Sequence, residues 1–214
     1  MHDGAAPAAK QVDVARGLCL NWGVLLAAAA AGVVSLLAFA GAKLVGPHLQ
    51  PGSTKAIEVT AKPTGDTREY QVAYLANGIQ VVNVRDTNAL QAAFSVAVEA
   101  GSFDDPQHLQ GLAHFCEHML FLGSKRYPTP TGFDDFVSAK GGYTNAYTAD
   151  EVTVYMLEVS KDVAEEAFRR FGDMFREPLF ADAEMQKEVR AIDSEHAKNM
   201  HDLSWSTLSV LEFL

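Results

Sequence analysis

His114-Phe115-Cys116-Glu117-His118 is the stretch on which the reading of this chain turns. Two histidines four residues apart on a helix lie about 40° from eclipsed and about 6 Å along the axis, so both imidazoles can reach one metal ion from the same face. Glu117 follows the first histidine by three residues and shares that face without having to be a ligand. A carboxylate beside a metal-activated water is the arrangement of general-base catalysis. The competing interpretation is an amphipathic helix whose histidines and glutamate are merely polar. Leu112, Phe115, Leu120, Phe121 and Leu122 argue against it, because in so apolar a helix the histidines are expected to be partly buried and to need partners. The pattern points first to a metallopeptidase.

A zinc site of this kind wants a third protein ligand. Asp182 to Asp202 reads as a long, proline-free helix, with Ala183, Met185, Val189, Ile192 and Met200 at near-helical spacing. Glu188 and Glu195 lie on it seven residues apart, within about 20° of each other around the axis. Both can face inward together, and spacing alone does not choose between them.

Around these helices the sequence predicts an α+β domain, a mixed and mainly antiparallel sheet packed with helices. Strands over Glu69 to Leu75 and Ile79 to Val84 flank Ala76-Asn77-Gly78, a strong hairpin signal. Leu90 to Glu99 fits a buried strand, and Val152 to Val159 another. After the histidine helix come a Tyr127-Pro128-Thr129-Pro130 break and a short helix over Gly132 to Ala139. Lys161 to Phe175 carries Val163, Ala164, Ala167, Phe168, Phe171 and Met174 at helical spacing, and Glu177-Pro178 stops it.

His114 to Gly123, followed far downstream by Glu188-Val189-Arg190-Ala191-Ile192-Asp193-Ser194-Glu195-His196, closely resembles the pitrilysin family of inverzincin zinc metallopeptidases. Within that family the likeness is to the catalytic N-terminal domain of the insulin-degrading enzyme and nardilysin branch. It starts near Lys55, takes in Arg68-Glu69-Tyr70 and Leu75-Ala76-Asn77-Gly78, and runs to the last residue. The resemblance implies one zinc per chain with His114, His118 and Glu195 as ligands, Glu117 as general base and Glu188 supporting the site from behind a ligand. It also implies that Asn145, Ala146 and Tyr147 lie on a sheet edge to which a peptide substrate adds as a further strand, with Trp205 an aromatic flanking the site. Cys116 lies between the ligands but turns away from their face, and core packing is its favoured role. His196 and His201 read as surface residues.

Members of that family continue through further domains that close a chamber around the substrate. This chain stops at Leu214, directly after an apparent helix over Ser206 to Leu211 that has no stop signal. The domain over 67–214 is therefore expected to be truncated at its C-terminus, its other half supplied in cis by a longer protein or in trans by a partner. The alternative function is a non-catalytic, membrane-tethered fragment that binds zinc or peptides. The intact base favours the zinc endopeptidase.

The N-terminus is a separate object. Residues 1–21 form a tail, and Trp22 to Ala42 gives 21 uncharged residues bounded by Arg16 and Lys43, enough to cross a bilayer as a helix. Three readings stay open: an uncleaved signal anchor, which is favoured and makes a single-pass membrane protein; a signal peptide cleaved in the secretory pathway near Ala38-Phe39-Ala40; and an unusually apolar soluble helix. Residues 43–66, rich in proline and glycine, read as a linker. The formal charge of −10 argues against nucleic acid, which rewards clustered basic residues. Two cysteines so far apart imply no disulfide framework.

Overall fold

The computed structural model describes residues 55–57, 59, 61–75 and 77–199. β2 (Glu69–Tyr74) and β3 (Gln80–Arg85) form the expected hairpin, in register from Glu69↔Arg85 to Tyr74↔Gln80. Asn77 and Gly78 make its turn: Gly78 stands at φ 90°, and the Leu75 amide donates to the Ile79 carbonyl at 2.8 Å. β1 (Lys55–Ile57) adds antiparallel to β2, which corrects the assignment of residues 43–66 to a linker. Three residues are too few to show an alternation, so this strand is defined by the edge it meets and not by its own pattern.

The second sheet is built from β4 (Gln91–Val98), β5 (Tyr143–Thr148) and β6 (Thr153–Ser160), in the order β4-β6-β5. Instead of one sheet, the described strands form two of three strands each, and every pairing is antiparallel. Hydrophobic pattern marks which residues are strands but not which edges meet.

β6 is central, and it buries Val154 on one face and four residues on the other. Thr153, Tyr155, Leu157 and Val159 are buried on one face, opposite Thr148, Ala146 and Thr144 of β5 and Val98, Val96 and Phe94 of β4. Onto that face pack three helices: α1 (Leu112–Leu120), α2 (Gly132–Ala139) and α3 (Ala164–Arg176). α3 presents Ala167, Phe171 and Met174, as its spacing predicts, together with Phe175, and Phe171 and Phe175 meet edge to face at 5.2 Å. Each of the large apolar side chains so buried contributes about 1.5–3 kcal/mol. α2 approaches the start of β5 closely at Gly142, where a Cβ would meet the Glu158 carbonyl oxygen at 2.5 Å and Val137 at 2.8 Å, so this packing requires glycine.

α4 (Asp182–Asn199) is the outlying element. Of its predicted inward residues, Met185 is buried and Ile192 packs against the core, while Ala183 and Val189 are exposed. Cys116 is buried in the core as expected, and Cys19 lies outside the described residues. No helix among the described residues is long and apolar enough to cross a membrane. The predicted span 22–42, the tail 1–21 and Trp205 lie outside them.

Candidate metal centre

The chain enters α1 through Gly111, held in the left-handed region at φ 87°. The Asp105 carboxylate accepts from the backbone amides of Gly111 at 2.7 Å and Ala113 at 2.8 Å, satisfying donors at the helix N-terminus that have no partner within the helix. Burial pushes the Asp105 carboxyl upward, against the pull of those amides. A cap reaching back over several residues leaves no local N-cap signature to read. α1 then buries Leu112, Ala113, Phe115, Cys116, Met119 and Leu120 against the sheet. Its remaining face carries His114 and His118, both half-buried.

The two imidazoles stand nearly perpendicular, at 86°, with their Nε2 atoms 3.2 Å apart. α4 lays its glutamate stripe across them. Glu195 Oε2 lies 3.8 Å from His114 Nε2 and 3.9 Å from His118 Nε2, while Glu188 Oε2 lies 2.9 Å from His118 Nδ1. The structure thus separates the two carboxylates that spacing left equivalent: Glu195 lies with the Nε2 atoms and Glu188 behind His118.

The chemistry of this donor set is that of a cation site. An ionised carboxylate only accepts, so His118 Nδ1 donates to Glu188, and in the neutral imidazole that leaves the Nε2 lone pair free for a cation. That lone pair, a second imidazole nitrogen and the Glu195 carboxylate converge, with ligand atoms all within 4.8 Å of one another. A tetrahedral zinc with bonds of about 2.0–2.1 Å keeps neighbouring ligand atoms about 3.3–3.5 Å apart. The three side chains therefore fit zinc with little adjustment. The Glu195 side chain is 46% exposed, so the point of convergence opens to solvent on that side.

Glu117, next to His118 on α1, is buried, and the Thr148 hydroxyl donates to its Oε2. Tyr155 is close by; burial, and secondarily the Glu117 charge, push its phenol far above the usual range. Thr148 is a site residue the sequence reading missed, because a contact across 31 positions leaves no local pattern.

Asn145, Ala146 and Tyr147 lie on β5, which pairs with β6 on one side and forms an edge of its sheet among the described residues. Ala146 packs against the core, while Asn145 is exposed and Tyr147 is 42% exposed. His196 is exposed, as expected, and His201 lies outside the described residues.

The family model for insulinase, peptidase family M16, matches residues 80–210. The chain is 43% identical over 144 residues to the peroxisomal insulin-degrading enzyme-like 1 of Arabidopsis thaliana, covering 67% of this chain and 15% of that protein. A putative zinc protease of Schizosaccharomyces pombe is 43% identical over 143 residues, covering 67% of this chain and 15% of its own length. Human insulin-degrading enzyme is 42% identical over 147 residues, covering 69% and 14%. The crystal structure of pitrilysin superposes with a TM-score of 0.64 at 36% identity, covering 68% of this chain and 16% of pitrilysin. The chain thus spans about 15% of the length of the relatives it matches.

Proposed function

Since this chain belongs to the insulinase family of zinc metallopeptidases, peptidase family M16, we propose that it carries the catalytic centre of a zinc endopeptidase. The observation that carries this reading is the convergence of His114, His118 and Glu195 beside a buried Glu117. One zinc per chain is held by these three side chains, and Glu188 fixes His118 from behind. What bound zinc supplies is acidification of a water and polarisation of a peptide carbonyl. Glu117 takes the water's proton on the carboxylate oxygen not engaged by Thr148, and returns it to the nitrogen of the leaving amine. The substrate is an extended peptide that adds to β5 alongside Asn145, Ala146 and Tyr147, using backbone hydrogen bonds that demand little of its sequence. Trp205, outside the described residues, is assigned to the same substrate site by the family resemblance alone.

A domain covering so small a share of its relatives, with a metal point open to solvent, supports a further part of the enzyme over the site, in cis or from a partner chain. Anchorage is proposed from sequence: residues 22–42 form a single membrane-spanning signal anchor, and 43–54 tether it to the peptidase domain, expected over 67–214 and extended by β1 to Lys55. Deleting 22–42 should release the protein from carbonate-washed membranes, and membrane retention of the deletion would refute the anchor.

The activity is tested by Glu117→Gln in hydrolysis of an internally quenched, unstructured peptide. Zinc content should stay unchanged while the rate falls at least about a hundredfold. Undiminished hydrolysis would remove Glu117 as the base. Zinc binding without hydrolysis by the unaltered protein, supplied with any partner chain, would mark a non-catalytic module instead.

A further inference from the structure

We propose that Thr148 is the positioning residue of the base: its hydroxyl holds Glu117 Oε2 and so fixes which carboxylate oxygen faces the metal point. The inference rests on Glu117 acting as the base. Among the described residues, Thr148 is the polar side chain placed on the Glu117 carboxylate, and a buried carboxylate with one oxygen held has little freedom to turn.

The surroundings make Thr148 a rigid support. It ends β5, opposite Thr153 across the β5–β6 pair, and the Ala149 amide closes the hairpin on the Val152 carbonyl at 2.8 Å. Backbone from the end of β4 clamps that tip: the Ser102 amide donates to the Ala149 carbonyl at 3.0 Å and the Phe103 amide to the Asp150 carbonyl at 2.9 Å. Gly101 allows this approach, since a Cβ there would lie 2.1 Å from the Ala149 oxygen. From the same strand end, the Ala100 carbonyl accepts from the buried Thr153 hydroxyl at 2.9 Å, and that hydroxyl lies 3.5 Å from the Thr148 oxygen. A β-branched side chain has a restricted χ1, so a clamped backbone aims the Thr148 hydroxyl. A threonine serving only to favour the strand would need no donor here, and valine would do as well.

Thr148→Val and Thr148→Ser separate these roles, with Glu117→Gln as control, in the zinc-loaded protein. Thr148→Val keeps shape and β-propensity and removes the donor. It should lower kcat about tenfold to a hundredfold with KM and zinc content unchanged, and Thr148→Ser should restore most of the loss. In a crystal structure of zinc-loaded Thr148→Val, the Glu117 carboxylate should be turned from its place in the unaltered protein. An unmoved carboxylate, a wild-type kcat in Thr148→Val, or a Thr148→Ser no faster than Thr148→Val would overturn the proposal. If Glu117→Gln cleaves as fast as the unaltered protein, the base assignment fails instead, and the carboxylate's position still decides for Thr148.

Discussion

A neutral imidazole has one proton to place, and Glu188 determines where His118 keeps it. With that proton on Nδ1, held at 2.9 Å, the Nε2 lone pair is aimed at the point shared with His114 and Glu195. Glu188→Ala frees the ring to turn and to change tautomer, so zinc affinity should fall about tenfold to a hundredfold in competition with a chelating dye. An unchanged affinity would make Glu188 a bystander. At this scale much of the site was legible, because helical spacing alone aligns His114 with His118 and Glu188 with Glu195. Asp105 and Thr148 were not legible: Asp105 caps α1 from several residues ahead of the usual N-cap position, and Thr148 reaches Glu117 from another part of the chain through the tertiary fold.

Single elements show how α1 is held in place beyond its own apolar face. The loop after it, Gly123 to Tyr127, is tied to α3 by the buried Asp173, whose Oδ2 accepts from the Ser124 hydroxyl at 2.7 Å and the Arg126 amide at 3.3 Å. Lys125 reinforces the tie, its amide donating to the Glu177 carbonyl at 2.9 Å and its ammonium pairing with the Glu177 carboxylate at 2.8 Å. Arg170 sits between the Tyr127 and Phe136 rings, 4.5 and 4.2 Å from their centroids, and joins the proline-bearing segment to α2 and α3. Asp173→Ala strands a buried hydroxyl, so it should cost about 1–3 kcal/mol and lower the melting temperature by several degrees. A melting curve identical to that of the unaltered protein would contradict this. The helices at Gly132 and Ala164 and the hairpin at Asn77-Gly78 stood out in the sequence through periodicity and turn chemistry. The strand at Lys55 and the division into two sheets did not, because edge pairing is a property of neighbours.

At the scale of the molecule, the metal point lies between a helix packed in the core and a helix leaning on its outside. α1 is fixed by the sheet, whereas α4 is anchored by Met185, Ile192 and the Glu188–His118 hydrogen bond, with most of its other residues exposed. Zinc bridging His114 and His118 to Glu195 would therefore bind α4 to the domain, and the ion should act structurally as well as catalytically. The central claim is that these three side chains, within this chain, hold one zinc. Its most direct test is the metal content of the purified protein by mass spectrometry, beside a His118→Ala control. The account predicts about one zinc per chain in the unaltered protein and loss of it in the variant. A folded protein without zinc, or a variant that keeps its full complement, would contradict it.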